Sequence, residues 1–207
     1  MNRFLFALAL VVLAACGAPA AQSQPAAKAV PPAGAIQEAV FAGGCFWCTE
    51  HDFKAIAGVT EVLSGYTGGH LANPTYQDVT TETTGHYESV RVRFDSGRIT
   101  YRQLVDRYWR LIDPTDDGGQ FCDRGPSYRS AIFVTPAQRA DAEASKAALV
   151  VSNRLAAPVV TQVLPLGRFY PAEEYHRDYA KNNALHYNAY RTGCGRDARL
   201  RQVWKSN

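Results

Sequence analysis

The 207-residue sequence has no run of apolar residues long enough to cross a bilayer. Its longest, FLFALALVVLAA near the amino terminus, falls short of the roughly 20 residues that a spanning helix needs. Strong charge of either sign is also missing: a formal net charge of +3, evenly spread, excludes a nucleic-acid surface as the basis of function. There is no internal repeat, so the chain reads as a linear succession of elements. Cysteine is sparse, with five residues, and no second short-spaced ligand pair accompanies Cys45, Cys48 and His51, which argues against a zinc site. What is left, 46% hydrophobic and 20% charged residues, suits one globular domain of about 150 to 200 residues.

The amino-terminal stretch stands apart from that domain. Residues 1–15 combine a short basic start at Arg3 with the apolar run, the pattern of an export signal. LAAC, Leu13 to Cys16, resembles the lipobox of bacterial lipoproteins, in which cleavage precedes the cysteine and the new terminal Cys16 carries lipid. The alternative is a plain signal peptide cut near Ala18 or Ala20. Either way the expectation is an exported protein of the periplasm or cell envelope, membrane-anchored in the lipoprotein case. Residues 16–35, rich in Ala and Pro with one charge, form a tether that cannot bury enough apolar area to fold. Export leaves four cysteines, Cys45, Cys48, Cys122 and Cys194, where disulfides persist.

From residue 36 to 207 the patterns alternate between periods of two and near four. AVFAGG (39–44) reads as a strand and CFWCTEHDFKAI (45–56) as a helix beginning at Cys45. Residues 59–66 and 87–94 read as strands and 68–78 as a loop. Thr100 with Gln103, and Thr135 with Gln138, are capping boxes for two helices, the second running to about Arg154. SAIFV (130–134) and PVVTQVLP (158–165) read as strands, 173–181 as a short helix, and the tail from Arg191 as a surface wrap. The order β-α-β-β-α-β-α-β-α predicts an α+β fold: a ferredoxin-like split β-α-β two-layer sandwich with added elements and an irregular C-terminal tail.

Two residues carry chemistry. A thiol reacts as thiolate, and the free N–H groups of a helix start would favour the anion at Cys45, with the preceding glycines allowing a sharp turn that exposes the sulfur. The bland alternative is a structural disulfide. Glu88 shares strand parity with Val90, Val92 and Phe94, so its carboxyl faces apolar neighbours; burial would raise its pKa and make it a proton donor near neutrality. The alternative is a frayed strand start with Glu88 in water. Tyr76 and Asp123 alone read as loop residues, and the aromatic-rich segment 169–190 reads as packing more readily than as pocket lining.

The motifs GGCFWCTE, GYTGG, NPTYQDV, TGHYESVRVRFD and GPSYRSAIF, in that order, resemble the A-type peptide methionine sulfoxide reductases over essentially the whole domain. The resemblance implies that Cys45 attacks the sulfoxide sulfur while Glu88 protonates the oxygen. It implies that Tyr76 and Tyr128 hold that oxygen, that Asp123 supports the polar network, and that Phe46 and Trp47 cage the substrate methyl group. It further implies action on the S epimer of methionine sulfoxide, free or in oxidised proteins, without metal or organic cofactor. The sulfenic acid left on Cys45 must condense with a second thiol, and a thioredoxin-like donor must then reduce the disulfide. Family members commonly have glycine at the Cys48 position, asparagine at the Cys122 position, and resolving cysteines in a glycine-rich tail. Cys194, between Gly193 and Gly195, therefore matches the tail role; Cys48, one helical turn from Cys45, is its near equal, and Cys122 ranks third. A monomer is expected. The rival functions are a thiol-disulfide oxidoreductase using Cys45 and Cys48 alone, and a non-catalytic lipoprotein module.

Overall fold

The computed structural model describes Met1 and residues 34–205. The signal segment, the lipobox with Cys16 and all but the end of the tether lie outside the described residues. Strands β1 (Ile36–Gly43), β2 (Val59–Thr67) and β3 (Tyr87–Asp95) are separated by helices α1 (Phe46–Lys54) and α2 (Tyr76–Val79), and α3 (Tyr101–Tyr108) follows. A short hairpin, β4 (Gly119–Gln120) and β5 (Asp123–Arg124), leads to β6 (Ser130–Val134), α4 (Arg139–Val151), β7 (Gln162–Pro165) and β8 (Tyr170–Pro171). The chain ends in α5 (Tyr179–Asn182), α6 (Ala184–Gly193) and α7 (Arg196–Val203).

The main sheet has the order β7-β6-β1-β3-β2-β8, antiparallel except where β7 joins β6. Its central four strands with α1 and α3 are the split β-α-β arrangement, so the expected fold class holds. Alternation separates the faces as the strand period requires. Phe41, Val90, Val92 and Phe94 point to the helix side, while Val40, Ala42, Ala131 and Phe133 pack on the other. Under the helices, Phe41 stacks on Phe53 (4.8 Å) and on Tyr108 (4.9 Å), and the Tyr108 hydroxyl donates to Ala42 O at 2.7 Å, tying α1 and α3 to β1. Burying each of these rings contributes about 2 kcal/mol.

Several elements differ from expectation. The loop at 68–78 closes with α2, held by a capping box between Thr75 and Asp78; four residues are too few for a hydrophobic period to appear. The capping box at Thr100 and Gln103 forms in full, but that at Thr135 forms only in part. Gln138 Oε1 accepts from Thr135 N–H while its Nε2 donates to Glu38 O, so a turn precedes α4, which starts at Arg139. The strand at 158–165 is shortened to β7 because Val160 N–H goes to Pro114 O instead of to a neighbouring strand. The helix at 173–181 is broken by Asp178, whose φ of 52° leaves a 3-10 turn on one side and α5 on the other. The irregular tail is instead helical, as α6 and α7, and it does not merely wrap the surface. Arg196 is 1% exposed, and it donates to Gly43 O (3.2 Å) and Leu111 O (2.8 Å) with its guanidinium over the Phe121 ring. Two backbone carbonyls and an aromatic face make a binding place for one arginine, which holds the tail against the end of β1.

Candidate active site

The site forms where β1 turns into α1. Gly44 makes the turn with φ of 80°, and a Cβ there would lie 2.6 Å from Cβ of Gln120. Cys45 is the N-cap of α1, and the Thr49 hydroxyl lies 3.1 Å from its carbonyl oxygen and 3.2 Å from that of Gly43. The first N–H of the helix is not left to a thiolate. Phe46 N–H donates to Glu88 Oε2 at 2.9 Å, so the carboxyl of β3 already occupies the position that was expected to favour the Cys45 anion.

This changes the electrostatics expected at the nucleophile. Cys45 is buried, and burial, then the hydrogen bond to Cys48 and the Glu88 carboxyl, push its thiol well above the ordinary range. The resting protein thus holds Cys45 protonated, contrary to the thiolate expected from the helix start alone. Cys48 goes the other way: the hydrogen bond from Cys45 works against burial and, with Arg196 and Arg191 nearby, draws it down to about 7. Glu88 is 3% exposed, on the helix face as its parity requires. Burial raises it to about 8 although the Phe46 N–H opposes the shift, and Asp123 and Glu82 raise it further. At neutral pH it is a carboxylic acid.

Tyr76 and Tyr128 meet above these groups. Their hydroxyls hydrogen-bond each other; burial and then Glu88 raise Tyr76 to about 12 and move Tyr128 in the same direction, so both remain proton donors. Glu173 fixes Tyr76 from behind, accepting its N–H at 2.7 Å and the Tyr66 hydroxyl at 2.9 Å. Asp123 reaches the site through one intermediary: the Tyr190 hydroxyl donates to its Oδ2 at 2.6 Å and hydrogen-bonds Cys45 as well. Burial pushes Asp123 up, against the pull of that hydrogen bond.

Phe46 and Trp47 form an aromatic wall with partners from the tail. Trp47 stacks on Tyr179 at 3.8 Å and donates its indole N–H to His176 Nδ1 at 3.0 Å. That bond puts the His176 proton on Nε2, and burial keeps the ring neutral. The His176 ring packs 4.9 Å from Phe46 and 4.6 Å from Tyr76. The structure therefore brings Cys45, Phe46, Trp47, Tyr76, Glu88, Asp123 and Tyr128 together. Glu173, His176, Tyr179 and Tyr190 join them from the segment that reads as packing in the sequence. No spacing marks them, because each reaches the site across the fold and not along it.

The remaining cysteines are divided between two places. Cys45 and Cys48 are free and buried, within hydrogen-bonding reach of each other, while Cys122 and Cys194 form a disulfide with Cα atoms 4.9 Å apart. Cys194 caps α6, so it is not in an unstructured tail. Cys45, Cys48 and His51 do not converge as a metal-binding group among the described residues.

A polar S–O group next to a protonated carboxyl and two phenols, with its methyl against aromatic rings and its sulfur facing a thiol, would find every group it needs here. Residues 37–207 match the family described as peptide methionine sulfoxide reductase. The chain is 62% identical over 201 residues to peptide methionine sulfoxide reductase MsrA 2 of Caulobacter vibrioides, covering 97% of this chain and 96% of that protein. Among solved structures it is similar to methionine sulfoxide reductase A of Corynebacterium diphtheriae (30% identity, TM-score 0.64, covering 74% of this chain and 77% of that one). It is also similar to Mxr1 of Saccharomyces cerevisiae in its reduced form (29% identity, TM-score 0.68, covering 74% and 88%).

Proposed function

Because the chain belongs to the peptide methionine sulfoxide reductase family, A type, and reduces methionine sulfoxide by thiol chemistry, we propose roles for the residues gathered at the β1–α1 turn. The carrying observation is the neutral, buried Glu88 beside Cys45 at the helix start. The sulfoxide oxygen enters between Glu88, Tyr76 and Tyr128, and its methyl group rests against Phe46 and Trp47. Cys45 sulfur attacks the sulfoxide sulfur as Glu88 gives its proton to the oxygen; the Cys45 proton restores Glu88. The hydroxyl then moves from the substrate sulfur to Cys45 sulfur as the bond between the two sulfurs breaks, so methionine leaves and Cys45 holds the oxygen as a sulfenic acid; condensation with a second thiol expels water and forms an intramolecular disulfide. Asp123 acts through Tyr190. Glu173 and His176 are positioning residues for Tyr76 and Trp47.

A chiral sulfur held by donors on one side and an aromatic wall on another admits one epimer, and we assign the S epimer, in oxidised proteins or as free sulfoxide. No step calls for a metal or organic cofactor. Two electrons per turnover come from a thioredoxin-like dithiol donor. The apolar run and LAAC at the amino terminus support an exported enzyme anchored through Cys16, with the catalytic domain acting as a monomer on its tether as part of the proposal.

Pre-reduced full chain, mixed with racemic N-acetyl methionine sulfoxide without reductant, is expected to release methionine from the S epimer alone. Absence of methionine from folded protein with free thiols would leave disulfide exchange by Cys45 and Cys48 as the reading to pursue.

A further inference from the structure

We propose that Cys122, Cys194 and Asp123 form a site for one thiophilic divalent cation of the zinc class, open to the metal when the two cysteines are reduced and closed to it when they are bonded to each other. The site stands apart from the roles proposed for Cys45 and Glu88, and its test does not depend on them.

Convergence is the first observation. One ligand atom from each of the three residues lies within 4.8 Å of the other two, although Cys194 comes from the end of α6, 72 residues beyond Cys122. A tetrahedral zinc ion, with bonds of about 2.3 Å to sulfur and about 2.0 Å to oxygen, holds such donors roughly 3.5 to 3.8 Å apart. A small approach of the carboxylate, and the separation that opening the S–S bond allows, complete that arrangement. There is room for it: Gly193 and Gly195 flank Cys194, and neither has an atom within 4 Å of where a Cβ would stand. On the hairpin side, Phe121 turns the chain with φ of 58° just before the two consecutive donors, Cys122 and Asp123.

The surroundings of the donors are the second. The Tyr190 hydroxyl donates to Asp123 Oδ2 at 2.6 Å, which fixes one carboxylate oxygen and leaves the other for a metal; a hydrogen bond of this kind is what orients a carboxylate ligand. Two thiolates and a carboxylate carry three negative charges. A dication offsets two of them, and Arg196 is close enough to Asp123 to act on the third. Its guanidinium is taken up by Gly43 O, Leu111 O and the Phe121 ring, so it does not compete for the metal's place. Two sulfurs and one oxygen select zinc or cadmium over magnesium and calcium. With three protein donors and Cys122 at the surface, the fourth position goes to water, the pattern of an exchangeable ion and not of one that builds a fold.

Binding displaces one proton from each thiol and oxidises nothing. Formation of the Cys122–Cys194 bond takes away both thiolates and with them the site, so metal and disulfide exclude each other. A cation that binds only the reduced pair draws the pair toward that form, and while bound it withholds both sulfurs from thiol-disulfide exchange. The metal is thus a reversible brake on this pair, set by how much free zinc the protein meets.

The test uses full chain, reduced and then freed of reductant without air. Cadmium(II) is the probe, because each thiolate it binds adds to an ultraviolet charge-transfer band, and zinc is measured by competition with a chelating dye. One metal per chain with the band of two thiolates is expected, both in the parent and in a Cys45→Ser/Cys48→Ser double variant. Affinity should fall at least tenfold in Asp123→Asn and further in Cys194→Ser, and the oxidised chain should bind none. A second measurement needs no substitution. In the parent, zinc at about a hundredfold excess over its dissociation constant should raise the midpoint potential of Cys122–Cys194, followed by alkylation and mass spectrometry, by about 60 mV, at about 30 mV per tenfold for a two-electron couple; magnesium should not move it. An unmoved potential, equal binding by the oxidised chain, or metal lost in the double variant and kept in Cys194→Ser would overturn the site. Each of these leaves the reductase reading intact, since methionine release from the S epimer is measured separately.

Discussion

Glu88 sets two properties in opposite directions. Its carboxyl is buried and raised to about 8, whereas in the unfolded chain it ionises in the ordinary range. Above that ordinary range the unfolded state loses this proton and the folded state keeps it. Stability from this group is thus full at low pH and declines as pH rises toward about 8, by roughly 1.4 kcal/mol per pH unit across the window. Glu88→Gln removes that penalty together with the proton donor. We expect the variant to gain a few kcal/mol over the parent at pH 8 but not at pH 4, and to lose on the order of a hundredfold or more in methionine formation. The parent's single-turnover rate should itself fall above about pH 8. Denaturant titrations at the two pH values, and a pH–rate profile, check both; a variant no more stable at pH 8 than the parent would contradict the burial cost. Strand parity made Glu88 legible from sequence, since a carboxylate in phase with Val90, Val92 and Phe94 has nowhere else to point. The protonated state of Cys45 was not legible, because the burial and the Glu88 carboxyl that push the thiol up come together only in the fold, 43 residues apart in sequence for Glu88.

The strand-helix turn is the element on which the chemistry depends, and Gly44 is its tightest point. A side chain there would combine a left-handed backbone with a contact at 2.6 Å to Gln120, whose own amide is fixed by Asp113 N–H (2.8 Å), Asp113 O (2.8 Å) and Gly119 O (2.9 Å). Gln120 cannot step aside. Gly44→Ala should therefore cost about 2 to 3 kcal/mol of stability, from left-handed strain plus overpacking, and should lower activity by displacing Cys45. Chemical denaturation and single-turnover kinetics measure the two effects; a shift under about 0.5 kcal/mol would mean the turn relaxes. Elements with a clear period, β1, α1, β3, α3 and β6, were readable in the sequence. Those held by side chains from elsewhere were not. The tail is the plainest case: Arg191 and Arg196 belong to a basic stretch that looks solvated, yet each finds Asp52 inside the fold. Nothing local distinguishes a buried arginine from an exposed one.

Across the whole molecule, the Cys122–Cys194 bond joins the β4–β5 hairpin to the end of α6 over a separation of 72 residues. Closing a loop of that length removes freedom from the unfolded chain worth about 4 kcal/mol in the chain-entropy model. Reduction should accordingly lower the melting temperature by roughly 10 °C for a domain of this size. Scanning calorimetry of oxidised and reduced protein tests this, and Cys122→Ser should match the reduced form whatever the redox conditions. Equal melting temperatures would mean that the unfolded chain gains nothing when the bond opens. The five motifs made the site's main residues readable in the sequence, but not how the molecule assembles around them. Pairing between Cys122 and Cys194, like the approach of Tyr190 to Asp123, follows from tertiary packing that leaves no trace in spacing.

The same bond changes the topology of the polymer. Oxidised, the chain carries a covalent ring running from the hairpin through β6, α4, β7, β8, α5 and α6; reduced, it is a linear thread. Under denaturing, non-reducing electrophoresis the ringed form should run ahead of the open one, so the redox state of the enzyme in a crude extract can be read as a band position, without purification and without an assay of catalysis.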